Sequence, residues 1–313
     1  MNTMQMTAKQ INARCAPALL ALAVLGTLLL ATTAVVALGQ LIAAGDFAIL
    51  ALLNHFSTLE LILLLVGGPT LLAVGGCLIV QRTFPRLGDS EFDKMSETLR
   101  GGFTVLFGLI LGLSIASVST QLSAARATVS SEAAALAQMM RASRALPADD
   151  QAAITQAMDE YVHAVADDEW VMMQRGLESP RAAAALEQLY AVYTDHPPQP
   201  GPFASSRFSA AMSKLDQVTA ARRTRLQQAT AGSSLPDLLR ILLMIGVVVF
   251  IVVWYPVKIR DKRAQLVVVA CIAAFISFAY LLTVLLDFPF AGDLAVGNAP
   301  FKEGALAAFW LAQ

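Results

Sequence analysis

A glutamate and a group of arginines are the charged residues of this sequence with the clearest capacity for chemistry. Glu132 falls on the same apolar stripe of a predicted helix as Val129. A lone carboxylate on such a seam needs a partner, because an unpaired buried charge is strongly destabilising. The candidate partners on a later predicted helix are Arg222, Arg223 and Arg225. The pattern predicts a structural ion pair, and the alternative is an ion-binding role for Glu132.

Motifs that would indicate an enzyme are missing from the sequence. It has no G-x-x-x-x-G-K-[ST] or G-x-G-x-x-G pattern, and neither H-E-x-x-H nor G-x-S-x-G. The 3 histidines are scattered, and the 3 cysteines lie in or beside apolar runs, which gives no metal-ligand spacing. The net charge of −1 gives no reason to expect nucleic acid as a partner. We therefore predict neither an enzyme nor a bound cofactor or metal.

One apolar run combines small and aromatic residues in a pattern typical of close helix contacts. Gly108, Gly112 and Ala116 form a small-xxx-small ridge that another helix can approach closely. Phe103 and Phe107 share another face, and apolar rings can gate a pore by dewetting. Both phenylalanines and both glycines are therefore pore candidates, and ordinary helix packing is the alternative.

The elements that carry these residues are membrane helices. The 313 residues are 57% hydrophobic and only 14% charged, whereas soluble domains carry about 25% charge. A spanning helix needs ~20 apolar residues. Five stretches qualify, at 16–43, 59–80, 102–120, 235–255 and 264–286. They predict an all-α, polytopic membrane protein, although the first stretch could instead be a cleaved signal peptide.

Lysines and arginines predict the orientation of these spans, because they concentrate in short cytoplasmic loops. The N-terminal segment and the loops after the second and fourth spans hold ten of them, against only Lys302 in the loops of the opposite side. We therefore expect an inner-membrane protein with a cytoplasmic N-terminus. Residues 121–234 and the C-terminus would then lie outside the cytoplasm.

The polar middle of the chain predicts a helical extramembrane segment. Apolar residues recur at helical spacing through 121–234, and the first helix is expected to continue out of the third span as far as Leu146-Pro147. Ser179-Pro180 predicts the start of another helix, with proline at its first position. The predicted organisation is an extra N-terminal span with a short loop (1–58), spans two and three (59–120), the helical segment (121–234), and the last two spans with a tail (235–313).

The end of the last span carries an acid followed by proline and aromatic residues, in the order Asp287-Phe288-Pro289-Phe290. Aromatic residues at a membrane edge anchor a helix at the interface. Interfacial anchoring is therefore the expected role of this segment. The alternative is an external ring of Asp287 carboxylates in an oligomer.

Taken together, these stretches resemble the bestrophin-like domain family of bacterial membrane proteins. The resemblance covers roughly residue 59 to the end, and its matching stretches are 132–136, 144–147, 161–170, 222–226, 235–236 and 287–292. The family-motif residues within them include Tyr161, Glu169, Trp170, Asp287, Pro289, Phe290 and Gly292. The chain departs from the family at Met140, where an aromatic residue is usual, and at Phe288, where an arginine is usual.

The resemblance implies a link to bestrophins, which are pentameric anion channels with a cytoplasmic extramembrane region. The charge distribution places the corresponding region of this chain outside the cytoplasm instead. The leading hypothesis is an oligomeric ion channel whose partners are the lipid bilayer, further copies of the chain and small inorganic ions. The alternative is a non-conducting envelope protein whose outer helical segment acts as a scaffold or sensor.

Overall fold

A computed structural model describes residues 46–83, 90–144, 146–195, 204–230, 235–255 and 261–311. Helices account for nearly all of these residues, and no strand occurs among them. The all-α prediction is therefore confirmed for the described part of the chain. The first predicted span, at 16–43, lies outside the described residues.

Eleven α-helices follow one another along the described segments. They are α1 (Asp46–His55), α2 (Thr58–Ile62), α3 (Gly68–Thr83), α4 (Ser90–Ser143), α5 (Ala148–His163), α6 (Trp170–Met173), α7 (Pro180–Asp195), α8 (Ala204–Thr230), α9 (Asp237–Val253), α10 (Lys262–Asp287) and α11 (Ala308–Leu311). π-Helical turns at Leu63–Gly67 and Ala164–Glu169 join α2 to α3 and α5 to α6, and two 3₁₀ turns at Ala299–Phe301 and Gly304–Ala307 precede α11.

Three helical stretches are long and apolar enough to cross a membrane. They are Thr58–Arg82, Arg100–Ser143 and Lys262–Asp287, and they include the second, third and fifth predicted spans. The fourth predicted span corresponds to α9, whose 17 residues lie at the lower limit of the ~17–25 that crossing requires. The total of five spans stays a prediction.

The described residues divide into two units by their contacts. Unit 1 contains Thr58–Ala116 and Leu235–Val284, and unit 2 contains Ile49–Ser57, Ser117–Ser234 and the chain from Leu285 onward. Unit 2 therefore takes in α1 from Ile49 onward and the C-terminal tail, whereas the sequence groups the tail with the last two spans. The ten-residue α1 lies within the short loop predicted between the first and second spans.

Unit 2 has a continuous apolar core. The stripes predicted on the middle helices are buried there, for example Val129 and Leu136 on α4, Tyr161 on α5, and Leu215 and Val218 on α8. These positions recur every three or four residues, so each helix turns one apolar face inward. The helix predicted to leave the third span is confirmed as the continuous α4, which ends at Ser143.

Two prolines occupy positions that their chemistry permits. Pro180 is the first residue of α7, where its missing N–H has no intrahelical partner to lose. The Ser179 hydroxyl before it accepts a hydrogen bond from the Ala182 N–H at 3.2 Å, which caps the helix. Pro69, by contrast, lies inside a helix, and the wide π-helical turn Leu63–Gly67 directly precedes it. Such a turn relieves the clash between a proline ring and the preceding turn.

Candidate functional site

Four charged side chains meet in the core of unit 2. Glu132 belongs to α4, Glu169 ends the π-helical turn, and Arg222 and Arg225 lie on α8. Glu132, Glu169 and Arg225 are each 0% exposed, and Arg222 is 9% exposed. We call these four residues the buried charge network.

Helical geometry explains which arginines take part. Arg222 and Arg225 are three residues apart and continue the buried stripe that runs through Leu215 and Val218, so both enter the core. Arg223 points away from that face and is exposed. The sequence offered all three as partners of Glu132, and the structure places only Arg225 against it.

The hydrogen bonds within the network are bidentate and charge-assisted. Arg225 donates from Nε to Glu132 Oε2 at 2.7 Å and from Nη2 to Glu132 Oε1 at 3.0 Å. The same Nη2 reaches Glu169 Oε1 at 2.7 Å, so Arg225 bridges both carboxylates. Arg222 binds Glu169 through Nε, at 3.2 and 3.1 Å from its two oxygens, and through Nη2. The Tyr161 hydroxyl donates to Glu132 Oε1 at 2.8 Å.

The π-helical turn Ala164–Glu169 aims Glu169 and the following residues at the network. A π-helical turn takes up an extra residue, so the positions after it rotate relative to a regular helix. In a regular helix, the buried stripe that contains Val165 would continue seven residues later at Met172. Met173 is buried instead, and Met172 is only half-buried. Met173 then lies against the network, with Arg225 Nη1 at 2.7 Å from its Sδ.

Aromatic rings cover the Arg225 guanidinium. Its Cζ lies 5.2 Å from the centre of the Trp170 ring and 5.9 Å from that of Phe301. Such cation–π contacts strengthen when they are shielded from water. The Trp170 indole N–H donates to the Val296 carbonyl at 3.2 Å, which ties the C-terminal tail to the site. The tail therefore forms part of the wall around the buried charge network.

The electrostatics of the network are balanced, with two arginines facing two glutamates. Burial alone would lower the pKa of Arg225, but the adjacent Glu132 and Glu169 outweigh it and raise that pKa. Burial also raises the pKa of Tyr161 well above its usual range, and Glu132 adds to the effect. Tyr161 therefore stays a neutral donor and Arg225 a permanent cation. The network therefore joins α4, the π-helical turn and α8, and its charges pair with one another.

The C-terminal family-motif residues lie inside unit 2. Asp287 is 1% exposed and Phe290 is 4% exposed, and the Phe290 ring centre is 6.2 Å from that of Trp170. Gly292 has φ +74° and its N–H donates to Asn54 Oδ1 at 3.2 Å. The Pro289 carbonyl accepts a hydrogen bond from the Val296 N–H at 2.8 Å. The segment was expected to anchor at the membrane interface or to expose a carboxylate ring. The structure instead turns Phe290 and the Asp287 carboxylate into the protein.

The pore candidates lie in unit 1 and divide into two groups. Phe107 is 5% exposed, stacks on the half-buried Phe103 at 5.8 Å, and packs 5.7 Å from Phe250 of α9. These rings pack against one another within one chain. Their packing therefore does not support the constriction predicted at Phe103 and Phe107. Gly108 and Gly112 are exposed, and a Cβ added to either would meet nothing within 4 Å.

Some contacts of the site had a detectable signal in the sequence. Arg222 and Arg225 continue the apolar stripe of α8, which distinguishes them from Arg223. The balance of charge gives another signal, because two buried arginines require two carboxylates and Glu132 supplies only one. Glu169 was identified only through the family resemblance, and its pairing with Arg222 was not predicted.

Comparisons with known proteins agree with the resemblance seen in the sequence. The sequence model of the bestrophin-like domain matches residues 67–301, about three quarters of the chain. The match contains the whole buried charge network, α9 and α10. No curated protein and no solved structure matches the chain. Among the described residues, no group of histidine, cysteine and acidic side chains could hold a metal ion. The extent of the match shows that the chain belongs to the bestrophin-like domain family.

Proposed function

We propose that this chain is one subunit of a homo-oligomeric membrane protein that conducts small inorganic ions. The observation that carries the proposal is the uncovered small-residue ridge of α4. Gly108, Gly112 and Ala116 are all exposed, and the backbone at both glycines is open to a close neighbour. Ridges of this kind let helices pack backbone to backbone in a membrane. A second copy of the chain is the partner proposed for this face.

The apolar residues beside the ridge would form the constriction in place of the phenylalanines. Val105 is 70% exposed and Leu109 is 58% exposed. Val105 precedes Gly108 by one turn on the ridge face, and Leu109 lies next to that face on the helix surface. A ring of α4 helices from several subunits would bring these side chains around a common axis. Apolar constrictions of this type gate by dewetting.

The proposed orientation follows from the charge of the loops. Residues 121–234 and the C-terminus would lie outside the cytoplasm, with the N-terminus inside. A reporter enzyme fused after Ala231 should therefore report an extracytoplasmic location. A cytoplasmic report from that fusion, with a reporter after Arg86 as the opposite control, would contradict the orientation.

The test of oligomerisation is the mass of the purified complex in nanodiscs, with the lipid contribution subtracted. A closed ring is expected for the wild type. The double variant Gly108→Leu, Gly112→Leu adds bulk to the ridge and should shift the mass to smaller species. The matched control Leu106→Phe, Leu113→Phe adds bulk to exposed positions on another face and should preserve the ring. A monomer or dimer at every concentration would overturn the proposal.

Conduction is tested by recording currents from the same complexes in planar bilayers under a salt gradient. Channel activity should require the closed ring. The current should therefore be lost in the ridge variant and kept in the control. A stable ring without current would favour the second candidate function, a non-conducting envelope scaffold. The buried charge network supports that alternative, because it pairs its own charges and holds separate segments of unit 2 together.

A further inference from the structure

The side chain of Asn54 joins three segments of unit 2 at one point. Its Nδ2 donates to the Gln174 carbonyl at 2.7 Å, and its Oδ1 accepts from the Gly292 N–H at 3.2 Å. Asn54 therefore connects the end of α1, the turn after α6 and the start of the C-terminal tail. We call this contact the Asn54 junction.

Two left-handed glycines allow the junction to close tightly. Gly176 has φ +71° and Gly292 has φ +74°, conformations that other residues rarely adopt. A Cβ at Gly176 would lie 3.8 Å from Leu50 Cδ1, and one at Gly292 would lie 3.5 Å from the Leu53 carbonyl oxygen. Both turns therefore rest on α1, and their positions are fixed relative to it.

Covalent connections keep the junction close to the ends of two apolar helices. Asn54 precedes Thr58, the first residue of an apolar helical stretch, by four residues, and Gly292 follows Asp287, the last residue of another, by five. A chain spans at most ~3.5 Å per residue, so these separations cannot exceed roughly 14 and 18 Å. The headgroup region begins where such helices leave the hydrocarbon core.

Exposed apolar side chains are concentrated at this junction. In the described part of unit 2, the exposed large hydrophobic residues are Phe56, Val171, Leu177, Leu294 and Leu311. Four of these five lie within three residues of Asn54, Gln174 or Gly292, and only Leu311 does not. Chance exposure would scatter such residues over the surface. Their clustering indicates a surface that meets an apolar medium.

We propose that the Asn54 junction is a membrane-surface anchor that inserts into the outer part of one lipid leaflet. Leu177 and Leu294 enter the boundary between headgroups and acyl chains. Arg175, exposed in the turn that carries Leu177, contacts lipid phosphate groups. The anchor holds the extramembrane helices against the bilayer. It does not involve the buried charge network. This inference rests on the membrane insertion of the proposed function but not on conduction or on oligomer formation.

The test is the immersion depth of spin labels on single-cysteine variants in nanodiscs of phosphatidylcholine and phosphatidylglycerol. Labels are placed at Leu177→Cys and Leu294→Cys in a chain whose native cysteines are replaced. The matched control is Ala191→Cys, an exposed position on α7, and the membrane reference keeps native Cys271, which is exposed on α10. Collision rates with oxygen, which partitions into lipid, and with a water-soluble nickel chelate give the depth.

The labels at 177 and 294 should show a several-fold higher oxygen-to-nickel ratio than the label at 191. An equal ratio at 177 and 191, with Cys271 in lipid, would overturn the anchor and leave the membrane helices standing. Protection of 177 from both reagents would also overturn it, since a second protein surface would then cover the turn. A nickel-accessible Cys271 would overturn the membrane insertion itself, and the anchor with it.

Discussion

Replacing Arg225 by methionine should destabilise unit 2 more than any surface change on the same helix. The substitution removes the cation that bridges Glu132 and Glu169, and methionine fills most of the vacated volume. Glu132 then keeps only the Tyr161 hydroxyl, and Glu169 keeps Arg222. The core is left with an excess buried negative charge. Removing one partner of a buried ion pair lowers the free energy of unfolding by about 3–5 kcal/mol.

The measurement is thermal unfolding of the full chain in one detergent, followed by circular dichroism. A loss of this size corresponds to a fall in Tm of about 6–20 °C for a domain of 150–250 residues. The matched control is Arg223→Met, which removes an exposed charge two residues before Arg225 on α8. Surface changes of that kind stay within about 0.5 kcal/mol.

A compensating variant separates charge imbalance from lost packing. Adding Glu132→Gln to Arg225→Met restores a neutral core, because Glu169 and Arg222 still balance each other. The double variant should therefore recover at least half of the lost Tm. If Arg225→Met melts within 2 °C of Arg223→Met, the network does not stabilise unit 2 and this reasoning fails.

Three further changes probe other parts of the structure. Burial raises the pKa of Tyr193 to about 12, so its contribution to stability is complete below about pH 10 and is lost at up to ~1.4 kcal/mol per pH unit towards pH 12. Tyr193→Phe should remove that part of the alkaline loss in melts at pH 9 to 11, and equal pH slopes for the two proteins would contradict it. Gly246→Ala should cost about 1–3 kcal/mol, because the added Cβ would lie 2.8 Å from Phe107 Cδ2, and Phe107→Leu should rescue its Tm. Asn298→Ala removes the hydrogen bond of 2.8 Å to the buried Ala166 carbonyl, at a cost of about 1–3 kcal/mol. Amide hydrogen exchange in the C-terminal tail should be faster in Asn298→Ala than in the wild type, and an unchanged rate would refute this prediction.

The parts of the fold that follow local periodicity could be predicted from the sequence. The buried faces of α4, α5 and α8 emerge from apolar residues at helical spacing, and the start of α7 from Ser179-Pro180. The choice of Glu132 as a buried carboxylate has the same origin, since it interrupts an apolar stripe. Each of these signals lies within one helix, where sequence spacing converts directly into direction.

The parts that depend on distant contacts could not be predicted in this way. The π-helical turn moves the buried position from Met172 to Met173, and no regular period encodes that shift. The aromatic residues after Asp287 fit either a lipid interface or a protein core, because both are apolar. Only the contact of Phe290 with Trp170 decides between them, and it joins residues 120 positions apart.

The buried charge network stabilises unit 2, whereas the exposed ridge of α4 is the feature on which the proposed conduction depends. Each carboxylate of the network is already bonded to at least one guanidinium, so admitting an ion there would require breaking bonds that stabilise unit 2. A network variant should therefore reduce current only to the extent that it reduces the amount of folded complex. Glu132→Gln, assayed for flux and folding together, makes this distinction. Loss of flux from a fully folded Glu132→Gln complex would instead assign Glu132 to the ion path.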